Sequence, residues 1–155
     1  MKGDGILAIW NDCVAGYEAE YESWYQGEHL IERLSVPGFL QGRRYESVNA
    51  LPRFFTYYET ASPEVLRSAD YLELLENPST VTVAIMTDVF LNTNRTVCRV
   101  LEHYGEFRGS FAVTVRGDSE CFIGSSVPFP ADLARQSGVA RAEAWVASGE
   151  EGQTT

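Results

Sequence analysis

The sequence predicts an α+β protein: a βαββαβ first half followed by a partial βαβ second half. Three observations carry that prediction. Apolar runs of strand length alternate with longer stretches of helical period, turn-forming residues fall between them, and a strand, helix, strand order returns after residue 109.

Ile6 to Trp10 is a short apolar run with Gly3 and Gly5 before it, and reads as the first strand. From Tyr17 to Leu34 there is no proline. At about 100° per residue Tyr17, Tyr21, Trp24 and Ile31 share one side, with Glu20 and Gly27 close by, which marks an amphipathic helix. Ser35-Val36-Pro37-Gly38 ends it, because the residue before a proline is pushed out of the helical region and glycine permits the reversal. Phe39 to Val48 reads as the second strand, Asn49 to Pro52 as a turn, and the aromatic and threonine-rich Arg53 to Thr60 as a third strand in a hairpin with the second. Ser62-Pro63-Glu64 starts a helix, or two short ones, running to Leu75. Asn77-Pro78 ends it. Thr80 to Leu91, carrying Val81, Val83, Ile85, Val89 and Phe90, reads as a long fourth strand. This order is the ferredoxin-like unit, an antiparallel sheet with both helices on one face and an open face that must be covered.

After an apolar and charged stretch at Thr96 to Tyr104, Gly109 to Val115 reads as a strand, Phe129 to Gln136 as a short helix and Val139 to Ala147 as a strand. Gly38, Phe39 and Tyr45 correspond in position to Gly138, Val139 and Trp145, which suggests a degenerate repeat; a chance likeness of two βαβ stretches is the competing reading. The expected divisions are residues 1–92, residues 93–148 packed on them, and a disordered polar tail at 149–155.

The 155 residues suit about one domain. With 22 Asp+Glu against 12 Lys+Arg the formal net charge is −10, a field that repels nucleic-acid phosphates and anionic lipid. No cluster larger than Arg43-Arg44 overrides it. Cys13, Cys98 and Cys121 are widely spaced, which indicates neither a disulfide framework nor zinc. The N-terminus reads as neither signal peptide nor membrane span, so a cytoplasmic protein is expected.

The richest segment is Trp24-Tyr25-Gln26-Gly27-Glu28-His29-Leu30, followed by Val36-Pro37-Gly38-Phe39 and Arg43-Arg44-Tyr45. An aromatic four residues before a helical histidine, then a Pro-Gly reversal into a second strand, resembles the dimeric α+β barrel superfamily and within it the EthD-like branch. The resemblance covers roughly residues 5–91 and implies an antiparallel α+β barrel, a homodimer and a pocket for a small molecule. It also implies a range of activities, from isomerases, lyases and cyclases to haem enzymes.

His29 titrates near neutrality when unperturbed and is the candidate general acid or base; a helix-capping role is the structural alternative. Tyr25 and Tyr58 are candidates to orient it or the substrate. Trp24, Glu28, Arg44, Tyr45, Phe55 and Tyr71 are candidate substrate contacts, with Tyr57 adding to the aromatic set that suits a flat apolar ligand. Glu28 lies near the centre of the apolar stripe, so it is expected to pair with Arg43 or Arg44. Arg95 and Asn92 are in range of a ligand carboxylate or of a solvated turn. GxGxxG, Walker, GxSxG and HExxH motifs are absent from the sequence. The expectation is a cofactor-free acid/base enzyme, an isomerase, lyase or cyclase, acting on a small hydrophobic carbonyl-bearing or aromatic substrate. The competing expectation is a non-catalytic binding or accessory protein with the same pocket.

Overall fold

A computed structural model describes residues 3–106, 108–118 and 129–149. It is an α+β fold with a five-stranded antiparallel sheet in the order β2-β3-β1-β4-β5. The strands are β1 (Gly5–Cys13), β2 (Phe39–Glu46), β3 (Phe54–Thr60), β4 (Phe90–Tyr104) and β5 (Ala142–Ala147). The helices are α1 (Glu18–Trp24), α2 (Leu30–Ser35), α3 (Ala69–Glu76), α4 (Thr80–Asp88) and the short α5 (Pro130–Leu133). A π turn (Tyr25–His29) joins α1 to α2, and a 3₁₀ turn (Pro63–Arg67) precedes α3. The chain divides into two compact units, one of residues 3–99 and 146–149 and one within 100–145. Among the described residues no helix is long and apolar enough to cross a membrane.

β1 is the apolar run predicted for a central strand, and it pairs antiparallel with β3 on one side and β4 on the other. Its side chains alternate. Leu7 and Ile9 join Val36, Phe39, Tyr58, Leu66, Tyr71 and Val97 in one core cluster. A second cluster gathers Tyr21, Trp24, Tyr25, Phe54, Ile85 and Val89. On the opposite face, Trp10 stacks on Phe55, and Tyr45 stacks on both Phe55 and Tyr57. Ile6, Ala8, Trp10 and Tyr57 are buried within the single chain.

The β2–β3 hairpin forms as predicted, with Phe39 opposite Thr60 and Glu46 opposite Phe54. Gly38 takes a left-handed φ of +94° at the reversal after Pro37. A Cβ on Gly42 would lie 2.7 Å from Leu30 Cδ1, so glycine lets α2 settle close on β2.

Two predicted strands are corrected. Thr80 to Asp88 is a helix, capped by the Ser79 hydroxyl accepting from the Thr82 N–H at 3.0 Å. Thr82, Ile85 and Val89 are buried at spacings of three and four, the helical period, while Val81, Val83 and Met86 face outward. The β-branched composition therefore misleads, and the fourth strand begins only at Phe90. Residues 109–115 are irregular and expose Phe111, Val113 and Val115, so the repeat of residues 5–48 lacks its first strand. Helix α5 and strand β5 do form near their expected positions. The tail expected to be disordered lies outside the described residues from 150 onward, as does Cys121.

Candidate functional site

The π turn decides which side chains reach the core. Its signature is the Leu30 N–H bonding the Tyr25 carbonyl, five residues back. A π turn holds one residue more than an α turn, so the apolar stripe slips by one position. A regular helix would continue the Tyr21/Trp24 stripe through Glu28 and Ile31. Instead His29 is turned inward and only 5% exposed, Leu30 packs against both core clusters, and Ile31 is 60% exposed. Tyr17, expected on the same stripe, is also exposed, because it precedes the first helical residue.

Aromatic rings wall in His29. Its imidazole lies 4.4 Å from the Trp24 ring centroid and 5.1 Å from that of Tyr25. Nδ1 is sealed from solvent without a hydrogen-bond partner. Burial pushes the imidazole pKa down to about 3, and the charges of Arg33 and Arg44 act in the same direction. The ring is therefore neutral throughout the ordinary pH range. It does not cap a helix end, since Leu30 continues the helix.

His29 lines a cavity of about 460 Å³ beneath the helical face of the sheet. Leu7, Ile9, Leu66, Phe90 and Val97 supply apolar wall, with Arg33, Tyr71, Arg95 and Ser148 as polar groups among them. Tyr71 is buried, stacks on Phe39 at 5.5 Å, accepts a hydrogen bond from Arg95 Nη2 at 3.3 Å and lies beneath the Arg33 guanidinium, 5.5 Å from its ring centroid. Arg33 has a signal in the sequence that site prediction missed: it follows His29 by four residues on one helix.

The other candidate residues fall elsewhere. Tyr25 and Tyr58 are fully buried, the Tyr58 hydroxyl donating to that of Tyr25 at 3.5 Å, and neither lines this cavity. Burial is the first cause of a Tyr58 phenol raised well above its ordinary value. Trp24 donates from Nε1 to Thr82 Oγ1 at 3.0 Å, and that hydroxyl donates to Glu28 at 3.1 Å. Ser79 also donates to Glu28, so the expected pairing of Glu28 with Arg43 or Arg44 is corrected: two hydroxyls at the start of α4 hold the carboxylate. Trp24 and Glu28 border a separate hollow with Gly27 and Val81.

Arg44 is a structural cation, 4.1 Å from the Tyr25 ring centroid and 4.3 Å from that of Phe54, its Nε donating to Glu22 at 3.0 Å. Tyr45 and Phe55 occupy the opposite sheet face from Tyr58 and stay outside the cavity. Asn92 donates to Asp12 at 2.9 Å, whereas Arg95 does reach the cavity. Cys13 and Cys98 are free thiols, and burial raises the Cys98 pKa to about 11.

The cavity thus joins one neutral imidazole, a phenol, the guanidinium groups of Arg33, Arg67 and Arg95 and the Glu64 carboxylate with apolar wall, an arrangement able to hold an amphiphilic small molecule against His29. Comparison of the chain with protein-family models, with curated proteins and with solved structures finds no match.

Proposed function

We propose that the protein is a cofactor-free acid/base enzyme, acting in this cavity on a small apolar molecule with a carbonyl or aromatic group, and that His29 moves the proton. The observation that carries this is the buried His29 ring on the cavity wall with an orphaned Nδ1. Leaving a buried polar atom unsatisfied costs about 1–3 kcal/mol, and such atoms call for an explanation beyond packing. The neutral imidazole carries one acceptor and one donor nitrogen, the form a general base needs before it takes a proton. The strand order β2-β3-β1-β4 and the helix-side cavity support extending the reading to a ferredoxin-like unit of the dimeric α+β barrel kind, EthD-like in its Tyr25-to-His29 spacing.

A second reading, ligand binding without turnover, draws on a different observation. Among the described residues no carboxylate bonds His29 Nδ1, and a base with a pKa near 3 has little driving force for proton abstraction. Solvent-deuterium exchange at the activated carbon of phenylacetaldehyde and phenylpyruvate, followed by proton NMR, separates the two. Under the enzyme reading the wild-type chain catalyses exchange and His29→Gln loses about 10²- to 10⁴-fold. Equal exchange by both proteins, or none by either, favours the binding protein.

A further inference from the structure

In a chain of net charge −10, cationic groups ordinarily find acidic partners, and several of the described arginines do. Arg44 pairs with Glu22, Arg53 with Glu18 and Glu46, Arg99 with Asp4 and Glu64, and Arg135 with Asp132. Arg33 and Arg95 differ. Both are half-buried on the cavity wall, and neither meets a carboxylate among the described residues. Glu64, the acid lining the same cavity, is engaged by Arg99. The two guanidinium groups converge on one phenol, Arg33 over the Tyr71 ring and Arg95 at its hydroxyl. Arg95 and Val97 alternate onto the same side of β4, and the Ser148 N–H bonds the Val97 carbonyl at 2.9 Å, which brings the Ser148 hydroxyl to this wall. That hydroxyl is also buried without a partner.

We infer that Arg33 and Arg95, with the Tyr71 and Ser148 hydroxyls, form the anion-binding end of the cavity, and that its ligand is a small apolar monocarboxylate whose hydrophobic body lies along Leu7, Ile9 and Leu66. This rests on the reading of the cavity as the substrate site and names the substrate class. Two cations without acids leave a charge deficit that an incoming anion fills. Guanidinium groups give a carboxylate planar donor pairs, and the Tyr71 and Ser148 hydroxyls add further donors on the same wall. The other charged groups of the lining, Glu64 and Arg67, belong to the 3₁₀ turn, and the apolar remainder of the wall suits the hydrophobic body of the ligand. Volume agrees, since about 460 Å³ lies in the range of sites that enclose small molecules. The influence of Arg33 on the His29 imidazole shows that the cationic end and the imidazole belong to one electrostatic neighbourhood.

The test is calorimetric titration of the full chain with 3-phenylpropionate, with its uncharged isostere 3-phenylpropanamide, and with inorganic phosphate. The acid is expected to bind at least about tenfold more tightly than the amide, and phosphate not to displace it. Arg33→Met and Arg95→Met should each weaken the acid about tenfold to a hundredfold, the usual scale for a lost hydrogen bond to a charged group, and weaken the amide less, so that the acid-to-amide ratio falls. Arg95→Lys should recover part of the loss. Equal affinity for acid and amide, binding of neither, or displacement by phosphate at equal concentration overturns the inference. Should a methionine variant fail to fold, the acid-to-amide ratio of the wild-type chain decides alone. His29→Gln should keep that ratio, so a failed proton-transfer role shows only in deuterium exchange and a failed anion site only in the ratio.

Discussion

A neutral imidazole walled in by Trp24 and Tyr25 responds to acid through the unfolded chain. His29 titrates near 6.5 when unfolded and at about 3 in the native protein, where burial and the cations Arg33 on α2 and Arg44 on β2 disfavour its charge. Between those values the unfolded state holds a proton that the folded state lacks, so the His29 contribution to stability is complete above about pH 6.5 and is lost as pH falls toward 3. The slope is at most about 1.4 kcal/mol per pH unit. Urea unfolding of the wild type and His29→Gln at pH 7, 5 and 4 should show a gap that changes in favour of the variant as pH falls; a constant gap rejects the assignment. The sequence made His29 visible as a candidate but placed it on the flank of the helix, with Glu28 nearer the centre. The π turn reverses these roles, and no residue type marks it in advance.

Helix α4 shows why composition and period have to be weighed together. Thr80-Val81-Thr82-Val83 favours a strand by residue type. Ser79 supplies the N-cap, and burial at 82, 85 and 89 supplies the helical face, so tertiary packing against Trp24 and Tyr21 overrides intrinsic preference. Both helical signs are present in the letters. Ser79→Ala removes the cap and one of the two hydroxyls on Glu28, and should cost about 1–2 kcal/mol, read as a lower urea midpoint. Thr82→Val is close in volume yet strands the buried indole N–H of Trp24. Its expected cost is about 1–3 kcal/mol, with a shift in tryptophan fluorescence as its signature. The β2–β3 hairpin and the end of α2 were legible because Val36-Pro37-Gly38 restricts the backbone itself.

Across the whole molecule, the order from β1 to β3 was legible in the apolar pattern, and the second half only in part, since α5 and β5 form near their expected places but the strand expected at 109–115 does not. Gly109 to Val115 has the alternation of a strand, but its Phe111 and Val113 are exposed: period-2 patterning describes what a segment offers, and only a partner makes it a strand. Irregular, exposed backbone is where proteases begin. Limited trypsin digestion followed by mass spectrometry should therefore show cleavage after Arg116 before cleavage after Arg43 or Arg44, which lie within paired sheet.

The π turn also has a meaning for changes in chain length. Segments before and after it run in two helical phases, offset by one residue, and Gly27 sits between them on the exposed side, where an added Cβ would meet nothing within 4 Å. Deleting Gly27 takes out one residue at the point of offset. Trp24 and the imidazole then stand four positions apart, an α-helical spacing, and α1 and α2 merge into a single phase with the histidine still facing inward. The shortened chain should fold with stability within about 1 kcal/mol of the parent, since it also loses a glycine from a helix interior. Deleting the equally exposed Ser23 should fail, because it rotates Trp24 and Tyr25 by about 100° against Tyr21. Thermal melts of the two deletions side by side would show whether this helix carries an insertion it can lose.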